Sequence, residues 1–528
     1  MRRGRFRRVL AGLAVFAATV TFATGAQAEP AGDRDAVVRT DSGPVRGTVH
    51  ADHRSFRGIP FAAPPVGELR WQPPRPPSPW TEPRDATKPG DRCAQNAGPL
   101  SQASTSEDCL YLNVTTPRRG PAPPRPVMVW VHGGGFVSGA GSDLTPTRLA
   151  VDGDVVVVTV NYRLGVFGFL GHPGLGAESG TFGLADQQAA LRWVRHNARA
   201  FGGDPHNVTL FGESAGGMST CAQLTSPAAA GLFQRAIIQS GACTINWPAS
   251  GFLPDVPAGT MWAPKAAVDA EGARLAEGRG CADPATALAC LRRVPVRDLL
   301  ADPRAASISA PAFGTRLLPE QPAEALAAGH FPRIPVALGT TRNEHRLFAA
   351  VYPNHPITEA DYQRWLRDGF GDRANEVAAR YPTGAHRTPG NAWADMATDR
   401  VWACTTLTGA RLLDARTRVF QYEFADPRPP VIFPFPPDID PGAYHASELV
   451  FLFEPGGFPV QLTPEQQRLS QRMIGYWSRF AATGNPNAHG SPKWRAFPSV
   501  QSLAPDDIRP VDFGAEHKCD FWAGLPQR

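Results

Sequence analysis

The sequence predicts an α/β protein built on one large, mostly parallel β-sheet with helices over both of its faces. Three observations carry that prediction. Unbroken apolar runs recur at 127–131 (Val-Met-Val-Trp-Val), 155–160 (Val-Val-Val-Val-Thr-Val) and 208–211 (Val-Thr-Leu-Phe). Short runs of this kind suit strands buried on both faces, the habit of parallel sheets. Between the second and third, residues 184–200 place Leu184, Ala185, Leu191, Trp193, Val194 and Ala198 at helical spacing. Strands alternating with helices are the pattern of such a sheet. The third run also leads straight into Gly212-Glu213-Ser214-Ala215-Gly216, after which 218–224 continues as a helix.

Taken in order, the chain opens with Arg2, Arg3, Arg5, Arg7 and Arg8, then an apolar stretch over 9–24, then Ala26-Gln27-Ala28. A basic start, a short apolar core and a small-x-small site form a secretory signal, residues 1–28, with a single domain expected over 29–528. Residues 36–49 read as a hairpin, with Val37-Val38 and 45–49 around Asp41-Ser42-Gly43-Pro44. The proline-rich stretch 60–89 suits an irregular covering layer. Residues 236–239, 334–339 and 419–424 are later strands, and proline-rich 427–441 is a long loop expected at the mouth of a site. No internal repeat or low-complexity linker marks a second domain.

Charge excludes some partners. The whole chain has 53 basic and 48 acidic residues, but 1–28 holds five arginines and no acid. The mature chain is therefore balanced, which gives no support to nucleic acid or an anionic membrane as a partner. No second apolar run reaches membrane-spanning length. Localisation outside the cell is expected, and eight cysteines in an exported chain argue for disulfides, among 105 pairings. No C-x-x-C, H-E-x-x-H or P-loop pattern occurs, so neither metal nor cofactor is expected. The oligomeric state stays open, a monomer being compatible with the sequence.

The chemistry starts at Ser214. A serine on a tight strand-to-helix turn is held exposed, and flanking glycines are needed where side chains would clash. Its hydroxyl needs a base, and the base needs a carboxylate to hold its tautomer. Chain order on such a sheet is serine, acid, histidine. Glu344, in Thr340-Thr341-Arg342-Asn343-Glu344-His345, follows a strand; His445 lies in the small polar loop Gly442-Ala443-Tyr444-His445-Ala446-Ser447-Glu448. On residues alone, His345 and His386 are alternative bases. A neutral histidine base predicts a kcat/KM that rises through a limb near pH roughly 6–7. Gly133-Gly134-Gly135 after the first strand lets backbone N–H groups approach a substrate oxygen; with the Ala215 N–H they form a candidate oxyanion hole.

Further motifs make the resemblance specific: Phe56-Arg57-Gly58-Ile59-Pro60-Phe61-Ala62, Ser106-Glu107-Asp108-Cys109-Leu110-Tyr111-Leu112-Asn113-Val114, Asn161-Tyr162-Arg163, Asp186-Gln187 and Phe201-Gly202-Gly203-Asp204-Pro205. From about residue 36 to 524 the chain resembles the type-B carboxylesterases, the family of cholinesterases, fungal lipases and bacterial para-nitrobenzyl esterases. That resemblance implies an α/β-hydrolase fold and a serine hydrolase acting on small-molecule carboxylic esters through an acyl-enzyme. It implies Ser214, Glu344 and His445 as catalytic residues and Gly134, Gly135 and Ala215 as oxyanion donors. Glu213, Ser240 and Glu448 fall at supporting polar positions, and Arg70 with Glu107 at a buried ion pair. Family disulfides carry over as Cys93–Cys109, Cys281–Cys290 and Cys404–Cys519, leaving Cys221 and Cys243 either as a fourth bridge or as two buried thiols.

Two departures matter. His345 stands where glycine usually follows the acid. Residues 94–108 contain no aromatic, so the tryptophan with which cholinesterases hold a quaternary ammonium is missing, although Trp247, Phe252 or Trp262 could substitute. Uncharged esters are the expected substrates. A lipase, or an esterase specialised for a toxin or polymer, is the alternative within the fold. A non-catalytic, neuroligin-like binding protein is the alternative from another class; the intact serine, glutamate, histidine and glycine run speak against it.

Overall fold

The computed structural model describes residues 35–98, 101–118, 123–456 and 459–525. The export signal expected at 1–28 lies outside them. Eleven strands form the central sheet: β1 (Thr48–Val49), β2 (His53–Pro60), β3 (Tyr111–Pro117), β4 (Arg125–Val131), β5 (Val156–Val160), β6 (Gly203–Glu213), β7 (Arg235–Gln239), β8 (Val336–Thr341), β9 (Val419–Phe424), β10 (Val500–Ala504) and β11 (Asp507–Val511). Their spatial order is β1-β2-β3-β5-β4-β6-β7-β8-β9-β10-β11. From β5 to β10 every neighbouring pair is parallel. Antiparallel pairs complete both edges.

The apolar runs alternate between two cores. In β4, Val127, Val129 and Val131 face one core while Met128 and Trp130 face the other. β5 repeats the division with Val156, Val158 and Val160 against Val157. A strand covered on both faces has no polar side to show, which is why its sequence lacks alternation. Six helices bear on the site or cover the sheet: α1 (Phe182–Asn197), α2 (Ala215–Thr225), α3 (Arg346–Ala350), α4 (Pro389–Ala397), α5 (Cys404–Asp414) and α6 (Pro464–Thr483). α1 sets Leu184, Leu191 and Val194 into the first core; α6 sets Leu469, Met473, Trp477 and Phe480 into the second. α6 starts on a reciprocal cap, Thr463 Oγ1 accepting from Gln466 N–H and Gln466 Oε1 from Thr463 N–H. It stops at Gly484, whose φ of 75° only glycine adopts readily.

Two boundaries differ from expectation for local reasons. Strand β8 begins at Val336 rather than 334, after Pro335, which has no N–H to give to a ladder. The N-terminal hairpin pairs Val37–Arg39 with Pro44–Arg46, but Thr48–Val49 leaves it to join β2. The chain parts at Gly47, where a Cβ would stand 2.4 Å from the Phe56 ring. Among the described residues, no helix is long and apolar enough to cross a membrane.

Candidate active site

Parallel strands bring their C-terminal ends to one edge of the sheet, where such sites are built. The glycine run 133–135 follows β4, Ser214 follows β6, Ser240 follows β7 and Glu344 lies just beyond β8. His445 arrives on the loop after β9, within a stretch free of helix and strand from 425 to 448.

Ser214 has φ 56° and ψ −123°, outside the regions a side-chain-bearing residue prefers. Its neighbours hold it there. A Cβ on Gly212 would lie 2.5 Å from the Gly216 carbonyl, and one on Gly216 would lie 2.0 Å from Val131 O. Only two glycines let β6 turn into α2 this closely beneath β4. The Ser214 N–H donates to Gln239 O at 2.9 Å, which ties the turn to β7.

Glu344 and His445 are joined side chain to side chain. His445 Nδ1–H donates to Glu344 Oε2 at 2.6 Å, and the second carboxylate oxygen accepts the Thr341 N–H at 2.8 Å. Their loops are stitched together: Asn343 N–H donates to Ala443 O and Ala443 N–H to Asn343 Oδ1. Both residues are buried, with no exposure at all for Glu344. A carboxylate that accepts the Nδ1 proton fixes the tautomer in which Nε2 has a lone pair. Nε2 lies 3.1 Å from Glu213 Oε1.

The glycine run lies against Ser214. A Cβ on Gly133 would meet Ser214 Cβ at 3.1 Å, and Gly134 has φ 102° with Ser138 O where its own Cβ would go. Neither the Gly134 nor the Gly135 N–H has a backbone acceptor among the described residues. Ala215 opens α2, so its N–H has no acceptor within the helix. The quoted motif residues brace this corner. Asn161 Oδ1 accepts from Gly141 N–H, Tyr162 O–H donates to His132 O, and Arg163 grips Asp186 with both arms of its guanidinium.

Four titratable groups share the burial. Burial pulls the His445 imidazolium down, but the charges of Glu213, Glu344 and Glu448 outweigh it and raise the group to about 9. Glu213 and Glu448 are themselves held well above the ordinary carboxylate range, by burial first. Glu448 Oε1 accepts from Gln239 Nε2 at 3.1 Å. Ser240 is fully buried behind the site, its N–H donating to Gly339 O. Among the described residues no cluster of His, Cys, Asp and Glu could hold a metal ion.

The sequence profile of the carboxylesterase family matches residues 34–522. The chain belongs to the carboxylesterase family. Para-nitrobenzyl esterase of Bacillus subtilis (strain 168) is 37% identical over 493 residues, which cover 87% of this chain and 92% of that protein. Cocaine esterase of Homo sapiens is 33% identical over 532 residues, covering 93% and 91%. The solved structure of a thermophilic PNB esterase is 33% identical with a TM-score of 0.75, covering 92% of this chain and 99% of that one. The protein is thus a carboxylesterase with the α/β-hydrolase fold, and its substrates are small carboxylic esters.

In this carboxylesterase a cavity of about 280 Å³ opens on Ser214, His445, Glu213 and the glycine run. Its walls include Val137, Leu144, Leu347 and Leu449, and three aromatics the sequence reading did not single out: Trp130, Phe348 and Phe433. The alternative bases stand elsewhere. His345 is fully buried among rings and accepts from Trp402 Nε1, and burial pushes its imidazolium down to about 3. His386 pairs with Asp395. Trp402 and Phe348 also pack on the His445 ring, at 4.9 and 5.0 Å between centroids. Neither had a local sequence signal, because the long chain between β8 and β9 brings them in. Arg70 and Glu107 form the bidentate pair, and sulfur–sulfur bonds join Cys93–Cys109, Cys221–Cys243, Cys281–Cys290 and Cys404–Cys519.

Proposed function

We propose that this protein hydrolyses uncharged carboxylic esters through a covalent acyl-enzyme on Ser214. The observation that carries the reading is the 2.6 Å bond from His445 Nδ1 to Glu344 in a buried pair whose imidazole shares one cavity with Ser214 and the glycine run. Ser214 Oγ attacks the ester carbonyl carbon as its proton passes to His445 Nε2, and the carbonyl π-bond becomes an oxyanion. The N–H groups of Gly134, Gly135 and Ala215 are the donors for that oxyanion. Glu344 stabilises the imidazolium, which then gives its proton to the departing alkoxide as the C–O bond breaks. Water, giving a proton to the same nitrogen, attacks the acyl carbon; as the bond to Oγ breaks, the imidazolium returns that proton to Ser214 and the carboxylic acid leaves.

The preference for uncharged esters rests on the cavity walls. A cationic alcohol needs an open aromatic face, a contact worth about 0.5–2 kcal/mol. Phe348 already stacks on Trp402, Trp130 packs against Phe211 and Phe453, Phe433 meets Tyr444 edge to face, and Trp247 stacks on Phe252, neither of that last pair lining the cavity. Residues 94–98 and 101–108 add only Ser101 to the cavity. Comparing kcat/KM for 3,3-dimethylbutyl butyrate and butyrylcholine at one ionic strength tests this. The neutral ester is expected to be favoured, and a tenfold preference for the choline ester would refute it. We also infer export from the cell, which the pattern of residues 1–28 and the paired cysteines support.

A further inference from the structure

A second cavity, of about 300 Å³, shares no lining residue with the catalytic one. It is bounded by α5, by the Cys404–Cys519 bridge and by Trp522 near the C-terminus. Two guanidinium groups reach it, Arg400 on the π-turn Thr398–Ala403 and Arg411 on α5, and no acid lines it among the described residues. Arg400 is only 8% exposed. Its guanidinium is held by the carbonyl oxygen and side-chain oxygen of Asn246, both uncharged. Burial pulls its proton affinity down to about 10, with no carboxylate near enough to oppose the shift. Buried arginines ordinarily have an anionic partner, because desolvating an uncompensated cation is costly. Here a cation is oriented by neutral acceptors, with no counter-charge supplied among the described residues.

The other walls narrow the ligand. Leu407, Leu412, Trp522 and the disulfide are apolar and would be wasted on a fully hydrated ion. The volume lies at the small end of ligand pockets, about 300 Å³ upward. We propose that this cavity binds a small organic carboxylate with an apolar tail, the carboxylate paired with Arg400 and Arg411 and the tail against Leu407, Leu412 and Trp522. Planar guanidinium and carboxylate groups match in geometry, and pairing relieves the desolvated charge on Arg400. The ligand is of the chemical class that ester hydrolysis releases, and its site stands apart from Ser214.

Equilibrium dialysis of labelled hexanoate against the full-length protein tests the site, with hexanol and inorganic phosphate as competitors and Arg411→Glu as the variant. Arg411 is exposed and lies outside the catalytic cavity, so this variant should fold and retain esterase activity, which circular dichroism and turnover check. Arg400→Gln is a second variant, interpretable if it folds. Hexanoate is expected to bind at least about tenfold more tightly than hexanol, and Arg411→Glu to weaken it tenfold or more. Equal binding by wild type and Arg411→Glu, or equal binding of hexanol, would overturn the proposal. So would complete displacement by an equal concentration of phosphate, which would mark a site for inorganic anions instead.

Discussion

Glu213 Oε1 lies 3.1 Å from His445 Nε2, the ring nitrogen that Glu344 does not hold. The imidazole thus sits between two carboxyl groups, and the one beside Nε2 bears on the nitrogen that accepts a proton in the proposed mechanism. An ionised Glu213 favours the imidazolium, which cannot act as a base. Burial raises Glu213, yet its charge is foremost among those that lift the His445 group to about 9. Replacing Glu213 by glutamine removes the charge while keeping the shape. The acid limb of kcat/KM should then move to lower pH, by about one unit. A pH–rate profile of Glu213→Gln whose limb stays in place or moves upward would contradict this account of the pair.

A second histidine is locked by charge far from the chemistry. His517 Nδ1 meets Asp399 Oδ1 at 2.5 Å and Nε2 meets Glu423 Oε1 at 2.6 Å, with Lys518 and Arg342 alongside. Both ring nitrogens face carboxylates, so both are donors and the ring is cationic. Burial lowers the group, but the two acids raise it to about 9 against an ordinary 6.5. A folded-state pKa above the unfolded value contributes stability that is full below about pH 6.5 and lost as pH rises through about 9. The Tm gap between wild type and His517→Gln should therefore shrink between pH 6 and 9.5. A gap that stays constant or widens would show that the ring is not held as a cation.

Cys221, on α2 behind Ser214, is bonded to Cys243, just past β7. Intact mass after alkylation without reduction should show no free thiol, and Cys221→Ser/Cys243→Ser should lose about 2–5 kcal/mol of stability. Two alkylated cysteines in the wild type would contradict the fourth bridge.

The parallel centre of the sheet was legible because β4 through β9 are covered on both faces and so read as apolar runs. The edges were not. β11 (Asp507–Val511) is largely exposed and β2 mixes buried with half-exposed residues, so neither presents such a run. α6 was overlooked although Thr463-Pro464-Glu465-Gln466 has the form of a capping box, a signal that could have found it. At the site, Ser214 and the glycines were legible from local clashes that only glycine avoids. His445 could not be separated from His345 and His386 on residues alone; the family resemblance chose it, and its bond to Glu344 supports that choice. The resemblance named the glutamates around it but not their effect: a limb near pH 6–7 assumes an ordinary imidazole, and the three glutamates that displace it converge from β6, the β8 loop and the loop after β9.

The central claim is that Ser214 forms a covalent bond to the acyl group during turnover. Treating the protein with a para-nitrophenyl organophosphate and mapping the adduct by peptide mass tests it directly. The account predicts one phosphoryl group per chain, on the peptide containing Ser214, with loss of esterase activity in proportion to labelling. It also predicts that folded Ser214→Ala takes up no label and turns over about a thousandfold more slowly or worse. Label on another residue with Ser214 unmodified, or near-normal turnover by Ser214→Ala, would contradict it.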